Sequence, residues 1–185
     1  MTFHSDSGTY TCDRNGLLLS FSPTLENEPP YMSFPLIRHL HIPEGVRRIG
    51  HDQPQPGESQ RCPFQRMIIM GDVTFPASLV ALGYSVFSGS VINRMTIPPT
   101  LRRMSHGMLM SCFIHTLTIQ PCNIMIDYAG GSPIPPGTLS IGGRDFKQTT
   151  IEELVVRTTA RSIPEHWQHR LMPEARIMKT TIVPL

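Results

Sequence analysis

A repeat of about 22 residues, a length typical of solenoid repeats, organises this sequence. Residues 92–97 and 114–119 both carry apolar side chains at their first, fourth and sixth places, and Ile97 and Ile119 close the two segments one period apart. Phe75 lies one further period before Ile97. A fixed period with apolar places locked to it is typical of a solenoid, in which each coil buries its apolar side against the next. The sequence therefore predicts an architecture before it predicts any chemistry.

Two of the coils are longer than one period. The interval from Ile42 to Phe75 exceeds the period by half, and the polar, Pro- and Gly-containing segment His51–Arg61 accounts for the excess. The interval from Ile119 to Val156 exceeds it by about two thirds, and the surplus falls within Gln120–Pro133. The first segment is polar and the second contains Gly130-Gly131-Ser132-Pro133. Such segments typically form loops, so both are predicted to be insertions between intact coils.

The second half of each coil also follows a shared pattern. An apolar residue is followed by Pro, two small or turn residues, an apolar residue, two variable residues, an apolar residue and a small one. Alternate side chains of a strand point to opposite faces, so the apolar residues are expected inside, and the Pro is expected to end the strand. The pattern occurs at residues 42–50, 75–83 and 97–105 and, with its middle apolar place slipped by one, at 134–142.

These residues resemble the BspA-like leucine-rich repeats, a family found in many bacterial and some protist surface proteins. The order Ile-Pro, Val or Leu, Ile-Gly and then a bend Phe carries the resemblance from about Pro35 to Val156. Phe87 and Phe146 occupy the bend, whereas Leu109 departs from the pattern. The resemblance implies a leucine-rich-repeat solenoid that is mainly β with short turns or helical turns. Its parallel sheet would take one strand from each coil.

The solenoid, with a C-terminal cap, is predicted over residues 35–185, and residues 1–34 are predicted to be an N-terminal cap and a Pro-rich linker. Leu17–Phe21 is predicted to be a strand of the N-terminal cap, because the end of a solenoid needs a cover. Ile182-Val183-Pro184 is interpreted as a last strand-plus-proline repeat. Trp167 is assigned to packing in the C-terminal cap.

Charge and hydropathy exclude some partners. The net charge is +2, and no basic run carries interleaved aromatics, so no nucleic-acid partner is predicted. No apolar run approaches the ~20 residues that span a bilayer, and no signal peptide is visible, so no membrane span is predicted. The compartment stays open, because relatives in the resembled family are often secreted or surface-exposed.

The four cysteines do not have the short paired spacing of zinc-ribbon or redox sites. Cys112 follows Leu109 at a place where the resembled family often has an inward-facing Cys, so a buried thiol is predicted. A disulfide between Cys112 and Cys122 stays open, because it requires the segment after Ile119 to fold back.

His39 and His41 raise the question of a metal site, because they are two residues apart on a predicted strand. Asp72, one coil along, is the nearest candidate for a third ligand, but the set is incomplete, so solvent-facing histidines are the favoured interpretation. The sequence also lacks a nucleophile elbow, a phosphate-cradling glycine loop and an ordered acid/base pair. We therefore predict no cofactor and no enzymatic activity.

The candidate binding site that the sequence leaves is the outward surface of the predicted sheet. The outward strand places form a stripe across successive coils, and solenoids use such sheets as extended recognition surfaces. The predicted binding residues, called the outward face below, are His39, His41, Asp72, Thr74, Arg94, Thr96, Thr116, Thr118 and Glu153.

Two hypotheses follow for function. The first is a non-enzymatic recognition module that binds a protein or peptide partner, such as a cell-surface ligand, through the outward face and the two insertions. The alternative is a structural or self-associating scaffold unit of a longer repeat protein. An exposed apolar coil at one end favours the scaffold, whereas a well-capped monomer favours the recognition module.

Overall fold

The chain folds into β-strands joined by turns. A computed structural model describes residues 1–24, 34–51, 62–105, 107–120, 123–126, 138–141, 146–158 and 174–184. Within these ranges there are fifteen strands in two sheets and no helix. The described residues therefore contain no helix that is long and apolar enough to span a membrane. The prediction of a mainly β chain is confirmed.

The sheet with the longer strands, called the larger sheet below, has seven strands, and every pair in it is parallel. Ile97 pairs with Ile119, and Ile119 pairs with Val156, so each strand is aligned with the next at the predicted repeat places. The predicted parallel sheet is therefore confirmed. Its strands are β4 (Leu36–Ile37), β5 (Leu40–His41), β7 (Ile68–Thr74), β9 (Val91–Ile97), β11 (Phe113–Ile119), β14 (Thr150–Thr158) and β15 (Arg176–Pro184).

Apolar spacing decides which side chains enter the core. On β11 the apolar residues at the first, fourth and sixth places of segment 114–119, Ile114, Leu117 and Ile119, are buried, and the residues between them are exposed or half-buried. The same three places are buried on β9 and on β14. Burying each of these large aliphatic side chains contributes about 1.5–3 kcal/mol relative to leaving it exposed, so these rows are the main source of stability.

Strand β7 carries a bulge. Four steps separate its inward residues Ile69 and Val73, whereas three separate Ile92 and Met95 on β9, so β7 contains one extra residue. Gly71 lies in this bulge, and a Cβ there would overlap Nδ1 of His39 on the neighbouring segment. Only glycine fits at this place without moving His39.

The other sheet, called the smaller sheet because its eight strands are mostly short, begins with three antiparallel strands and continues with parallel ones. Its members are β1 (Thr2–Ser5), β2 (Gly8–Cys12), β3 (Leu17–Pro23), β6 (Arg48–Ile49), β8 (Ala81–Leu82), β10 (Arg103–Met104), β12 (Asn123–Ile126) and β13 (Thr138–Ile141). Their order in space is β1-β2-β3-β6-β8-β10-β13-β12. The strand predicted at Leu17–Phe21 lies within β3, which pairs with β6.

The insertion at Gln120–Pro133 was predicted to be a loop, but part of it forms strand β12. This strand pairs in parallel with β13 and takes the edge of the smaller sheet, so part of the surplus sequence extends that sheet. Apart from His51, the insertion at His51–Arg61 lies outside the described residues, as do Trp167 and Cys122.

Each bend between the two sheets has a buried apolar residue at the equivalent place. Phe87, Leu109 and Phe146, which the repeat places at the bend, are all buried. Phe64, which was not predicted from the sequence, occupies the same place and is stacked on Phe87 with ring centroids 5.2 Å apart. Each of these residues lies five places before the first inward residue of the following strand, and that constant spacing is the signal that identifies Phe64.

A second buried contact joins successive bends. The residue three places after each of the last three bend residues donates a hydrogen bond to the carbonyl of the preceding bend residue. Because these donors are buried, each bond fixes one repeat on the one before it. The pairs are Ser90 Oγ to Phe64 O at 2.9 Å, Cys112 Sγ to Phe87 O at 3.0 Å, and Thr149 Oγ1 to Leu109 O.

Cys112 is the buried thiol that the sequence predicted. It is 3% exposed and free, and desolvation by burial raises the pKa of its thiol to about 12. A thiol with such a pKa stays protonated at neutral pH and is therefore a poor nucleophile. Its role is to pack and to donate the hydrogen bond to Phe87.

Candidate binding surface

All nine residues of the outward face lie on the outer side of the larger sheet or immediately beside its first strands. Each is exposed or half-buried. Strand register orders most of them into two rows. The first row contains Asp72, Arg94, Thr116, Glu153 and Lys179, and the second contains His41, Thr74, Thr96, Thr118, Val155 and Thr181.

Charges in the first row are paired across strands. Nε of Arg94 lies 2.5 Å from Oδ1 of Asp72, and its hydrogen bond holds the pKa of that carboxyl below its usual value. Nζ of Lys179 lies 2.8 Å from Oε1 of Glu153, which also accepts a hydrogen bond from Thr181. These donors, with Lys179 first, lower the pKa of Glu153. The row is thus a ladder of cross-strand pairs that stabilise the sheet.

Two neighbouring contacts extend this pattern. Nδ1 of His115 meets Oε2 of Glu152 on the next strand, and Nδ2 of Asn93 donates to the carbonyl of Met70 at 2.8 Å. His115 and Glu152 were not among the predicted site residues. Their partners lie on the same sheet, so these polar groups already satisfy one another without a ligand.

A cavity of about 710 Å³ opens at the N-terminal end of the outward face. Here the turn between β1 and β2 approaches the segment that contains β4 and β5. Four predicted residues, His39, His41, Asp72 and Thr74, come together in its wall. The remaining lining residues were not predicted from the sequence; they are Asp6, Ser7, Thr24, Leu36, Ile37 and Arg38.

Specific hydrogen bonds hold the histidines of this cavity in place. The N–H of His41 donates to Oγ of Ser7 at 2.7 Å, and Oγ of Ser5 donates to the carbonyl of His41 at 3.3 Å. Nδ1 of His39 accepts the N–H of Asp72 at 3.2 Å, which leaves Nε2 of the neutral ring as the donor. The cavity wall is therefore anchored at both histidines.

A shallower cavity of about 470 Å³ adjoins the first one along the sheet. Asp72 and Thr74 line both cavities, and Arg94 and Thr96 line the second. The remaining predicted residues, Thr116, Thr118 and Glu153, line neither of these two cavities. Concave surface on the outward face is thus found over its N-terminal strands.

The metal hypothesis gains no ligand set. In the part of the chain that the structure describes, no three His, Cys, Asp or Glu side chains converge in a way that could hold a metal ion. Nδ1 of His39 is already engaged by a backbone N–H, and Asp72 is engaged by Arg94.

No family model matches the sequence, and neither a curated protein nor a solved structure matches it.

Proposed function

We propose that the protein is a non-enzymatic recognition module of the BspA-like leucine-rich-repeat type, and that a protein or peptide partner binds the N-terminal half of its outward face. The in-register parallel strands, the buried apolar rows and the stacked bends support the solenoid interpretation. The observation that carries the binding proposal is the cavity of about 710 Å³ where four outward-face residues come together.

The cavity offers the mixture of groups that a polypeptide requires. Leu36 provides apolar contact, Thr74 provides a hydroxyl, and Arg38 provides a cationic group. Cavities of roughly 300–1,000 Å³ hold small ligands or the anchoring side chains of a larger partner. Because carboxylates and basic groups occur together, we expect the anchor to be a polar side chain next to an apolar one rather than a highly charged polymer.

The two halves of the outward face offer different surfaces to a partner. On the C-terminal strands, Glu152 and Glu153 are already paired with His115 and Lys179. A partner that binds there has to break these pairs or leave them in place beneath it. At the cavity, the partner contacts a concave surface, so more of its own area is buried for the same footprint.

A matched pair of substitutions tests this proposal. We would select heptapeptides from a random displayed library against the intact chain and measure the affinity of enriched peptides by calorimetry. Thr74→Lys places a long cation in the cavity and should weaken binding by at least tenfold, or about 1.4 kcal/mol. Thr118→Lys makes the same change in the same row but away from both cavities, and should leave affinity unchanged. Equal affinity for both variants, or no enriched peptide, would contradict the proposal.

The second candidate function is a structural or self-associating unit of a longer repeat protein. One observation favours it: Ile182, at an inward place on the last strand, is 48% exposed. Calorimetric unfolding at several protein concentrations tests it, because association of the folded form makes the unfolding temperature rise with concentration. An unfolding temperature that is independent of concentration would exclude self-association.

A further inference from the structure

The ring of His39 is fitted into the larger sheet at the bulge of β7. Strand β7 contains one residue more than the β4–β5 segment with which it pairs. Gly71 lies in this bulge, and a Cβ there would overlap Nδ1 and Cε1 of His39. The imidazole therefore lies directly against the backbone of Gly71, in space that a residue with a side chain would fill.

A hydrogen bond selects the protonation state of the ring in this position. Nδ1 of His39 accepts the N–H of Asp72 at 3.2 Å, and a backbone N–H can only donate. A protonated imidazole carries a hydrogen on both ring nitrogens, so two donors would face each other across this contact. The position against Gly71 therefore belongs to the neutral ring, and protonation removes the hydrogen bond that holds the ring there.

The cavity offers the protonated ring another position. Carboxylates attract an imidazolium, and both Asp6 and Asp72 line the same cavity of about 710 Å³ as His39. The pKa of Asp72 is lowered mainly by its hydrogen bond from Arg94 and, to a smaller extent, by the charge of His39, so the ring and this carboxylate are close enough to interact. The titratable and charged groups around the His39 ring are Asp6 on the β1–β2 turn, Arg38 beside it in the chain, His41 on β5, Asp72 on β7 and, through its pair with Asp72, Arg94 on β9.

We propose that His39 is a pH sensor for partner binding at this cavity. The neutral ring lies on Gly71 and leaves the cavity open, whereas the protonated ring turns toward Asp6 and Asp72 and fills space that the partner occupies. Because partner and proton favour different positions of the ring, acid weakens binding. Histidine is the side chain whose charge ordinarily changes between about pH 5 and pH 8, so the effect falls in that range.

Two other histidines of the outward side of the sheet make contacts that protonation leaves intact. His41 is held through its backbone N–H and carbonyl, which do not titrate. Nδ1 of His115 meets the carboxylate of Glu152, which an imidazolium also satisfies. His39 differs from both because its ring accepts a backbone N–H. The sensor rests on the proposed binding of a polypeptide at the cavity, but the movement of the ring requires no partner and is tested without one.

Nuclear magnetic resonance on the intact chain, titrated from about pH 8 to about pH 5, tests the movement of the ring. At the higher pH we expect Nδ1 of His39 to carry no proton. At the lower pH the protection of the Asp72 amide against hydrogen exchange, corrected for the intrinsic effect of pH, should fall about fivefold, the effect of one ordinary hydrogen bond.

His39→Asn is the matched control, because its Oδ1 is attached to Cγ, as Nδ1 is, and accepts the same N–H without a proton to gain. In this variant the protection of the Asp72 amide should not change with pH. The carboxyl of Asp72 itself does not interfere, because its lowered pKa lies below this range. An Asp72 amide that is insensitive to pH in the unsubstituted chain, or equally sensitive in His39→Asn, would overturn the proposal.

Calorimetry at the same two pH values tests the effect on binding. The probes are heptapeptides selected from the displayed library at the higher pH, with blocked termini and without His, Asp or Glu, so that only the protein titrates. We expect their affinity for the unsubstituted chain to fall at least about fivefold at the lower pH, the lower end of typical coupling between sites. His39→Asn should bind equally at both pH values. His39→Lys, a permanent cation without an acceptor, should bind weakly at both.

Two further variants identify the histidine responsible. His115→Asn lies on the same sheet but outside both cavities, and should keep the affinity at the higher pH and the loss in acid. A loss in acid that disappears in His41→Asn but persists in His39→Asn would overturn the proposal. Equal binding of the unsubstituted chain at both pH values would overturn the sensor and leave the binding site standing, whereas no binding at the higher pH would overturn both.

Discussion

The two ends of the larger sheet carry the same repeat but bury it differently. At the N-terminal end the three inward residues Ile37, Leu40 and Ile42 are at most 3% exposed. At the C-terminal end the corresponding Ile177 is half-buried and Ile182 is 48% exposed. Aliphatic side chains occupy inward places at both ends, so the difference in their exposure comes from what covers them.

Three antiparallel strands outside the repeat, β1 to β3, close the N-terminal end. Tyr10 and Leu18, on β2 and β3, belong to the same buried cluster as Ile42, and Ser5 and Ser7 occupy the backbone edge at His41. One segment thus covers both the apolar interior and the polar edge. A repeated unit cannot do this for itself, because its apolar places are shaped to meet another copy of the same unit.

The largest expected effect distinguishes the two ends directly. Ile42→Asp buries a carboxylate without a partner, and we expect it to lower the free energy of unfolding by about 5 kcal/mol or more, comparable to the whole stability of a domain. Ile182→Asp makes the same change in the same row, but water reaches the new carboxylate, so the monomer should lose no more than about 1 kcal/mol. Chemical denaturation of both variants at low protein concentration measures the difference.

Two substitutions in the middle of the sheet control this comparison. Leu117→Asp is inward and fully buried and should behave like Ile42→Asp, whereas Thr118→Asp is outward and should be tolerated. Equal loss of stability for Ile42→Asp and Ile182→Asp would mean that the two ends are closed alike.

The repeat makes one part of the fold predictable and leaves another part out of reach. The positions of Ile97, Ile119 and Val156 follow from a period that needs no knowledge of distant contacts, and their register confirms the parallel sheet. Strand β12 was not predicted, because its pairing with β13 joins two segments within an irregular stretch where the period is lost. Periodicity carries information only while it continues.

The candidate site divides in the same manner. The outward places His39, His41, Asp72 and Thr74 were predictable from strand alternation. The cavity between them and the β1–β2 turn was not, because it depends on contacts such as that of Ser7 with His41, 34 residues apart and outside the repeat. Pairing of Arg94 with Asp72 was also not predicted, although both were on the predicted face.

The next prediction concerns the hydrogen bonds between successive bends. At the first bend, Oγ of Ser90 makes two of them, whereas at the last bend Oγ1 of Thr149 makes one. Oγ of Ser90 donates to Phe64 O and also accepts the N–H of Met67 at 3.0 Å. Ser90→Ala therefore removes a hydrogen-bond partner from two buried backbone groups, the carbonyl of Phe64 and the N–H of Met67. We expect a loss of about 2–3 kcal/mol. Thr149→Val removes one donor from Leu109 O, which still accepts the N–H of Cys112, so about 1 kcal/mol is expected.

Thermal and urea unfolding of both variants measure these losses. Cys112→Ser keeps a hydroxyl donor at the equivalent place and serves as the control, with little expected change. If Thr149→Val proved as costly as Ser90→Ala, the first bend would not be special, and the two ends would differ only in their caps.

A smaller effect is expected from the edge contact at the N-terminal end. Ser7→Ala removes the acceptor of the His41 N–H, and because this site is partly buried we expect a loss of about 0.5–1.5 kcal/mol. Hydrogen exchange at the His41 amide should accelerate by more than the global change in stability explains. Ser5→Ala, which removes the longer and exposed contact to the His41 carbonyl, should have a weaker effect. An unchanged exchange rate in Ser7→Ala would mean that this turn does not protect the edge.

The smallest effect concerns the charge pairs that both ends share. Asp72 and Glu153 have lowered pKa values in the folded state, so the stability they contribute is present above their unfolded pKa values, about 3.9 and 4.3, and is lost as pH falls through the folded ones. Arg94→Met should raise the pKa of Asp72, because it removes the Arg94 hydrogen bond that is the main cause of the lowered value. Lys179→Met should raise that of Glu153 less completely, because the hydroxyl of Thr181 still donates to the carboxylate. Carboxyl-carbon titration by NMR checks both, and a complete return of Glu153 to its unfolded value would show that Lys179 alone holds this pair.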